Sequence, residues 1–166
     1  MPTKRAIERA RRDRREGKSA STQAGEFVRE EIDEIRRGKH GARSTKQAIA
    51  IGLSEARRAG VPLKPPRKGK AKASTRKSAK YAYEAGQHKR KTTRRPRVSR
   101  AVERVLEREP HSAASRRALS RQARSAAHRR SAAQRSAAAK KAARTKGAAG
   151  RKAAARKAAR TRARRR

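Results

Sequence analysis

The hydrophobic positions of this chain are concentrated in residues 21–63, and their spacing there predicts two helices. In the first, Val28, Ile32 and Ile35 follow one another at steps of four and three, which places them on one helical face. In the second, Ile49 and Leu53 share a face in the same way. We therefore predict a helical hairpin over 18–63, with a hydrophobic core formed by Phe27, Val28, Ile32, Ile35, Ile49 and Leu53.

Capping residues set the predicted ends of the two helices. Ser21 is a suitable N-cap for the first helix, and Gly38 is a suitable C-terminal stop. Ser44 and Gln47 fit a capping box, because the Ser44 hydroxyl can accept a hydrogen bond from the Gln47 amide while the Gln47 side chain reaches back. A cationic last turn followed by Gly60 ends the second helix.

The hairpin is close to the lower size limit for a hydrophobic core, so we expect something else to pack on it. One candidate is a second copy of the chain, because Ile51 lies off the main apolar stripe of its helix. The other is a short amphipathic helix over 98–109, in which Val98, Val102 and Val105 share one face. The sequence leaves the homodimer and the intramolecular third helix open.

The segments on either side of the hairpin are cationic and poor in large apolar residues. Residues 1–17 are good helix formers, which predicts a basic helical arm that ends at Gly17. Because Ile7 is its only large apolar residue after Met1, we expect this arm to contribute no core. Residues 64–97 combine prolines with lysines, which predicts an extended, self-repelling linker.

The C-terminal tail, residues 110–166, contains twenty Lys or Arg and no Asp or Glu. Leu119 is its one large aliphatic residue, so it cannot bury enough apolar surface to fold alone. Alanine dominates residues 112–146 without an intervening Gly or Pro, which favours a helix there. Like charges oppose that helix, so we expect it to form when phosphates neutralise the tail.

Composition defines the class of partner. The 166 residues include 53 Lys or Arg against 13 Asp or Glu, a formal net charge of +40, and 2% aromatic residues. Such an excess of positive charge predicts a nucleic-acid partner. No apolar run approaches the ~20 residues that cross a bilayer, and the N-terminus lacks the apolar stretch of a secretory signal. We expect a cytoplasmic, nucleoid-associated protein that does not contact a membrane.

The sequence gives no support for enzymatic chemistry. Cysteine is absent, and the four histidines are isolated from one another, so no metal site, cofactor or small-molecule substrate is predicted. Five acids cluster on the first hairpin helix: Glu26, Glu30, Glu31, Asp33 and Glu34. We expect these carboxylates on the outward face, opposite the apolar stripe, either solvated or serving as counter-charge for the chain's own basic arms or for a neighbouring copy.

Two regions are candidates for phosphate binding. The N-terminus of the second helix offers backbone amides at 45–47 beside three cations, which favours an anion, although a purely structural turn is the alternative. The tail offers the larger set of cations. The predicted phosphate-binding residues are Lys39, Arg43, Lys46, Arg116, Arg117, Arg121, Arg124, Arg129, Arg130, Arg135, Lys140, Lys141, Arg144, Lys146, Arg151, Lys152, Arg156, Lys157 and Arg160.

The hairpin region also resembles a known family. Ser21-Thr-Gln-Ala-Gly-Glu-Phe-Val-Arg-Glu-Glu-Ile and Gly38-Lys-His-Gly-Ala-Arg-Ser-Thr-Lys-Gln-Ala-Ile, within residues 21–60, resemble a small family of bacterial proteins described as a domain of unknown function or as DNA-binding. The resemblance implies a bacterial nucleoid setting and brings no catalytic residues. By composition, the tail is similar to the Lys/Ala-rich tails of linker histones and bacterial histone-like proteins.

The sequence therefore predicts an all-α, non-enzymatic protein that binds DNA through its phosphates and compacts or bridges it. Sequence-specific recognition is not expected, because the zinc ligands, heptads and aromatic residues of the usual recognition modules are missing. Two alternatives stay open. The chain could bind RNA, for instance on the ribosome, or the acidic face of the hairpin could bind a protein partner.

Overall fold

The protein is all-α, as predicted. The structure, a computed structural model, describes residues 2–90 and 95–164, which contain seven α-helices, one 3-10 helix and no strand. Part of the predicted linker, at 91–94, lies outside the described residues. The elements are α1 (Lys4–Arg15), α2 (Ala20–Arg36), α3 (Thr45–Arg58), α4 (Ala73–Gly86), α5 (Pro96–Glu107), the 3-10 helix (His111–Ala114), α6 (Arg116–His128) and α7 (Ala132–Ala163).

The chain divides into two units, Met1–Gln122 and Ala123–Arg166. The first unit is built around the hairpin of α2 and α3. Phe27 and Ile35 are fully buried in it, as is most of Ile32. The remaining residues of the predicted core are partly buried, and these are Val28, Ile49 and Leu53.

The two hairpin helices approach each other at a glycine. A Cβ added to Gly52 of α3 would lie 2.7 Å from the Cα of Val28 in α2, which is closer than carbon atoms can pack. The backbones are therefore in direct contact at this point, and the contact depends on the missing side chain. Because the backbones themselves are in contact, the two hairpin helices pack closely with few large side chains between them.

The predicted caps are partly correct. α2 begins two residues earlier than expected, because Ser19, with an extended backbone, is its N-cap and its hydroxyl accepts a hydrogen bond from the Thr22 amide. Ser21 therefore lies inside the helix. At α3 the Ser44 hydroxyl accepts from the Gln47 amide at 3.2 Å, as predicted. The Gln47 side chain, however, accepts from the amide of Arg43 rather than from that of Ser44.

The prediction that the N-terminal arm contributes no core is wrong. α1 packs against α2, and its Ala6 and Ala10 are buried in one cluster with Ala24 and Phe27. Alanine faces allow two helices to approach closely, so burial here does not require large side chains. An estimate from large apolar residues alone therefore missed the packing of this helix, although the helix itself was predicted.

The prediction of an extended linker over 64–97 is wrong for the part that forms α4. This helix packs against α3, with Ala79 and Ala82 buried. A Cβ on Gly86 would lie 1.8 Å from the carbonyl oxygen of Arg57, so the end of α4 rests directly on the backbone of α3. Two of the lysines that suggested a linker, Lys77 and Lys80, lie in this helix, and both are exposed.

The amphipathic helix predicted over 98–109 is present as α5, but it is not the third core helix. Val98, Val102 and Val105 are each more than half exposed. The loop that follows α2 does contact the end of this segment, because the Gly41 amide donates a hydrogen bond to the carbonyl oxygen of Leu106 at 2.8 Å. The hairpin receives its additional support from α1, α4 and the 3-10 helix.

The 3-10 helix shows that the first residues of the predicted tail are part of the folded unit. Ala113 and Ala114 are buried in one cluster with Ile32 and Ile35. The Thr45 hydroxyl donates a hydrogen bond to the carbonyl oxygen of Ala113 at 2.7 Å. The boundary at 110 is therefore too early, since these four residues pack on the hairpin.

The rest of the tail is helical but not as one helix over 112–146. α6 ends at His128, and α7 begins after a new capping box in which Ser131 and Gln134 cap each other. The helical pattern of α7 is interrupted at Gly147, whose φ of 63° and ψ of 178° are not helical. That the tail becomes helical only on binding stays a prediction.

Candidate nucleic-acid interface

The acidic residues of the hairpin are paired with cations of the chain itself. Arg9 of α1 lies between two of them, with Nε 2.8 Å from Glu26 Oε2 and Nη2 2.6 Å from Glu30 Oε2. Arg37, just after α2, donates to the other oxygen of Glu30 at 3.0 Å. The acids of α2 therefore serve as internal counter-charge for the basic N-terminal arm, which confirms that part of the prediction.

The expected outward-facing acidic surface is not present. Glu30 is 7% exposed and Glu31 is 2% exposed, so both carboxyl groups lie inside the unit. The prediction was wrong because Arg9 of α1 lies against Glu26 and Glu30, and His40 of the loop after α2 lies against Glu31. Burial disfavours the charge of Glu30, but the hydrogen bonds from Arg37 and Arg9 outweigh this effect and hold the pKa of Glu30 below its usual value.

Glu31 lies in a different environment. Burial raises the pKa of its carboxyl group to about 7. Its Oε2 is 3.7 Å from His40 Nε2, and its Oε1 has no hydrogen-bond partner among the described residues. Together with Glu34, these side chains form a group whose potential ligand atoms all lie within 4.8 Å of one another. The spacing of the histidines gave no sign of it, although Glu31 and Glu34 stand three residues apart on α2.

The predicted anion site at the N-terminus of α3 is partly occupied by the protein itself. The amide of Gln47 is bound by Ser44, and Thr45 is buried beneath the 3-10 helix. Lys39 is paired with Glu34 at 2.7 Å. Two of the three predicted cations, Arg43 and Lys46, are exposed beside the helix N-terminus. This end of α3 is therefore a smaller anion site than the sequence suggested.

Every cation of the tail that the structure describes is exposed. The tail has no Asp or Glu with which these cations could pair. Those in the first unit are Arg116, Arg117 and Arg121. Those in the second unit are Arg124, Arg129, Arg130, Arg135, Lys140, Lys141, Arg144, Lys146, Arg151, Lys152, Arg156, Lys157 and Arg160, to which the structure adds Arg162 and Arg164.

Two of these arginines also stabilise the tail backbone. Nη1 of Arg135 donates to the carbonyl oxygen of Arg130 at 2.8 Å, beside the break between α6 and α7. Nη1 of Arg151 donates to the carbonyl oxygen of Ala143 at 2.7 Å, across the interruption at Gly147. Both interactions satisfy carbonyl groups at points where the helical hydrogen-bond pattern is broken.

Comparison with known proteins gives one result. Residues 3–70 match the sequence model of a family of unknown function, DUF6496. This match spans α1, α2 and α3 and extends at both ends beyond the resemblance described above over 21–60. No curated protein and no solved structure matches the chain. Within the described residues, no helix has both the length and the apolar character needed to span a membrane.

Proposed function

We propose that this chain is a non-enzymatic, nucleoid-associated DNA-binding protein of the histone-like type, which compacts or bridges DNA by neutralising phosphates. One observation carries the proposal. Every cation that the structure describes between residues 116 and 164 is exposed, in a segment without a single acid. Lysine and arginine side chains in that state release counterions from DNA when they meet phosphates, which is the main source of sequence-independent affinity.

The hairpin differs from the tail in how its charges are paired. There, Arg9 pairs with Glu26 and Glu30, and Arg37 pairs with Glu30, so the folded part uses these carboxylates internally. The tail cannot do this and needs an external polyanion. We assign the affinity to α6 and α7, and a smaller contribution to Arg43 and Lys46 at the N-terminus of α3.

The arrangement of cations around α7 supports bridging. Before Gly147, Arg135 and Lys146 stand eleven residues apart and share one side of the helix, since eleven residues make three turns. Lys140 and Arg144, four residues apart, lie on the opposite side. A helix with cations on opposite sides can contact two phosphate backbones, whereas a one-sided helix contacts only one.

The adaptor hypothesis loses its main support. It needs an exposed acidic face on α2, and Glu30 and Glu31 are buried. The homodimer through the hairpin stays a prediction. The exposed large hydrophobic residues that the structure describes lie on α4 and α5, not on the hairpin, and they are Tyr81, Val98, Val102 and Val105.

The experiment that tests the proposal compares two full-length variants with the same loss of charge. In the tail variant, six exposed cations become Gln: Lys140, Lys141, Arg144, Lys146, Lys152 and Arg156. In the matched control, six exposed cations of the first unit become Gln: Arg5, Arg11, Arg14, Arg15, Lys68 and Lys70. Both variants keep every buried residue and every contact of the 3-10 helix.

Affinity for duplex DNA is then measured over a salt series. Each phosphate contact contributes about 0.9 to the slope of log K against log salt, so the tail variant should lose up to about five units of slope and the control much less. Equal losses in the two variants would refute the special role of the tail. The same series on structured RNA separates the alternatives, because stronger binding to RNA at matched salt would favour the ribosomal hypothesis.

A further inference from the structure

We propose that Glu31, Glu34 and His40 bind a divalent transition-metal cation of the Zn²⁺ type. The three side chains offer two carboxylate oxygens and one imidazole nitrogen, all within 4.8 Å of one another. The two glutamates stand three residues apart near the end of α2 and so share a face. His40 comes from the loop that follows the helix. The site is independent of the proposed binding of DNA.

An unsatisfied buried atom points to a ligand at this place. Glu31 is 2% exposed, and its Oε1 has no hydrogen-bond partner among the described residues. The two oxygens of a carboxyl group are bonded to the same carbon, so Oε1 lies next to Oε2, the oxygen that faces His40. Buried carboxylate oxygens are nearly always paired with a donor or coordinate a metal, and none of the described residues supplies a donor to Oε1.

The orientation of His40 suits a metal ligand. Its Nδ1 lies 3.1 Å from the carbonyl oxygen of Gly41, to which it can donate a hydrogen bond. In that tautomer Nε2 carries the lone pair, and Nε2 is the atom that lies 3.7 Å from Glu31. Metal-binding histidines characteristically donate their second ring N–H to a carbonyl or carboxylate in this way.

The loop that carries His40 is held in place by the folded unit. The amide of Gly41 donates to the carbonyl oxygen of Leu106, and that of Ala42 donates to the carbonyl oxygen of Pro110 at 3.1 Å. Gly41 packs so tightly against the backbone of Glu109 that any side chain at this position would collide with it. The imidazole is therefore presented from a fixed loop rather than from a free one.

The ligand set indicates the class of cation. Imidazole suits Zn²⁺ and its neighbours in the first transition series, whereas Mg²⁺ and Ca²⁺ prefer oxygen ligands alone. Ligand distances of about 2.1 Å around Zn²⁺ would require the three side chains to close by on the order of 1 Å, which side-chain rotations can supply. Three protein ligands leave the fourth position of a tetrahedral ion to water.

Lys39 is the competitor for this site. Its Nζ is 2.7 Å from Glu34 Oε1, and the side chain is 57% exposed. The ammonium can swing into solvent when a cation binds, but its charge opposes the approach of the metal. Removing the charge of Lys39 should therefore increase the affinity for the metal, whereas substituting any of the three ligands should decrease it.

The test uses the full-length, ¹⁵N-labelled chain, freed of metal by a chelator and titrated with Zn²⁺. Long-range ¹H–¹⁵N spectra report each histidine ring separately, and a single ring should shift, with a stoichiometry of one ion per chain. That signal should be absent in His40→Asn. Glu31→Gln, which keeps the shape of the side chain, should weaken Zn²⁺ binding at least tenfold, and Lys39→Met should strengthen it.

The controls distinguish this site from adventitious binding. His128→Asn removes an exposed histidine and should leave the affinity unchanged. Mg²⁺ should shift no ring. The proposal is overturned if Zn²⁺ in excess shifts no ring, if the shifted ring belongs to His88, His111 or His128, or if Glu31→Gln, shown by its thermal melting to be folded, binds Zn²⁺ as the unaltered chain does.

Discussion

Glu30 and Glu31 are neighbours in α2 and are both buried, but among the residues that the structure describes only Glu30 accepts hydrogen bonds from cations. Arg9 and Arg37 bind its two oxygens at 2.6 and 3.0 Å. Glu31 instead faces His40 at 3.7 Å, and its Oε1 has no hydrogen-bond partner in the described part of the chain. The Glu30 carboxylate therefore joins α1 to the hairpin, whereas the Glu31 carboxylate lies where a bound cation would stabilise its ionised form.

The first prediction concerns acid stability. Because the pKa of Glu30 is held below its usual value, its ionised form stabilises the fold above the unfolded pKa of 4.5, and this contribution is lost as the pH falls through the folded pKa. Glu30→Gln should lower the free energy of unfolding by about 2 kcal/mol at neutral pH. It should also flatten the decline below pH 4.5. Chemical denaturation at several pH values measures both effects.

Asp33→Asn is the control for this experiment. Asp33 is about two-fifths exposed and lies 3.9 Å from Arg36, so its pairing should contribute little. An equal loss of stability in the two variants would show that Glu30 does not have the structural role assigned to it.

The second prediction tests the close contact between α2 and α3. Gly52→Ala places a Cβ 2.7 Å from the Cα of Val28, so the helices must separate, at a cost of roughly 1–3 kcal/mol. Gly25→Ala is the matched control, because a Cβ there meets nothing within 4 Å. The control should stabilise α2 by roughly 0.5–1 kcal/mol, since alanine is the better helix former. The denaturant midpoints of the full-length variants measure both effects. If Gly52→Ala stabilised the protein, the close contact between α2 and α3 would be contradicted.

The third prediction concerns α4. Gly86→Ala would bring a Cβ to 1.8 Å from the carbonyl oxygen of Arg57, so the helix should lift away from α3. Amide hydrogen exchange over 73–86 should then accelerate severalfold, because helices detached from their packing partner open more often. Ser78→Ala, on the exposed side of α4, should leave exchange unchanged. If the unaltered chain already exchanges these amides as fast as a free peptide, α4 is not docked.

The fourth prediction concerns the interruption of α7. Alanine rarely adopts the φ of 63° and ψ of 178° found at Gly147, and it favours helix by about 1 kcal/mol over glycine. Gly147→Ala should therefore make α7 continuous and increase the circular dichroism signal of the full chain at 222 nm. Gly150→Ala, where a Cβ has ordinary contacts with Lys146, should give a smaller increase. Equal increases would mean that the interruption does not depend on Gly147.

Much of the protein could be predicted from local sequence. The apolar spacing of Val28, Ile32 and Ile35 predicted the first hairpin helix, and the capping residue Ser44 predicted the start of the second. The absence of acids after Glu109 gave the exposed cationic tail. Each of these features depends on residues close to one another in the chain, and so each is visible without a structure.

The tertiary structure decided the rest. Three further segments pack against the hairpin through buried alanines, which are Ala10, Ala82 and Ala113. Alanine has so little apolar surface that a sequence pattern does not indicate whether it is buried. The burial of Glu30 depends on Arg9, twenty-one residues away. The fixed position of His40 depends on backbone contacts with Leu106 and Pro110. Local sequence determined the two hairpin helices and where the charge lies, while long-range packing determined which charges are buried, because a carboxylate can be buried only where distant parts of the chain surround it.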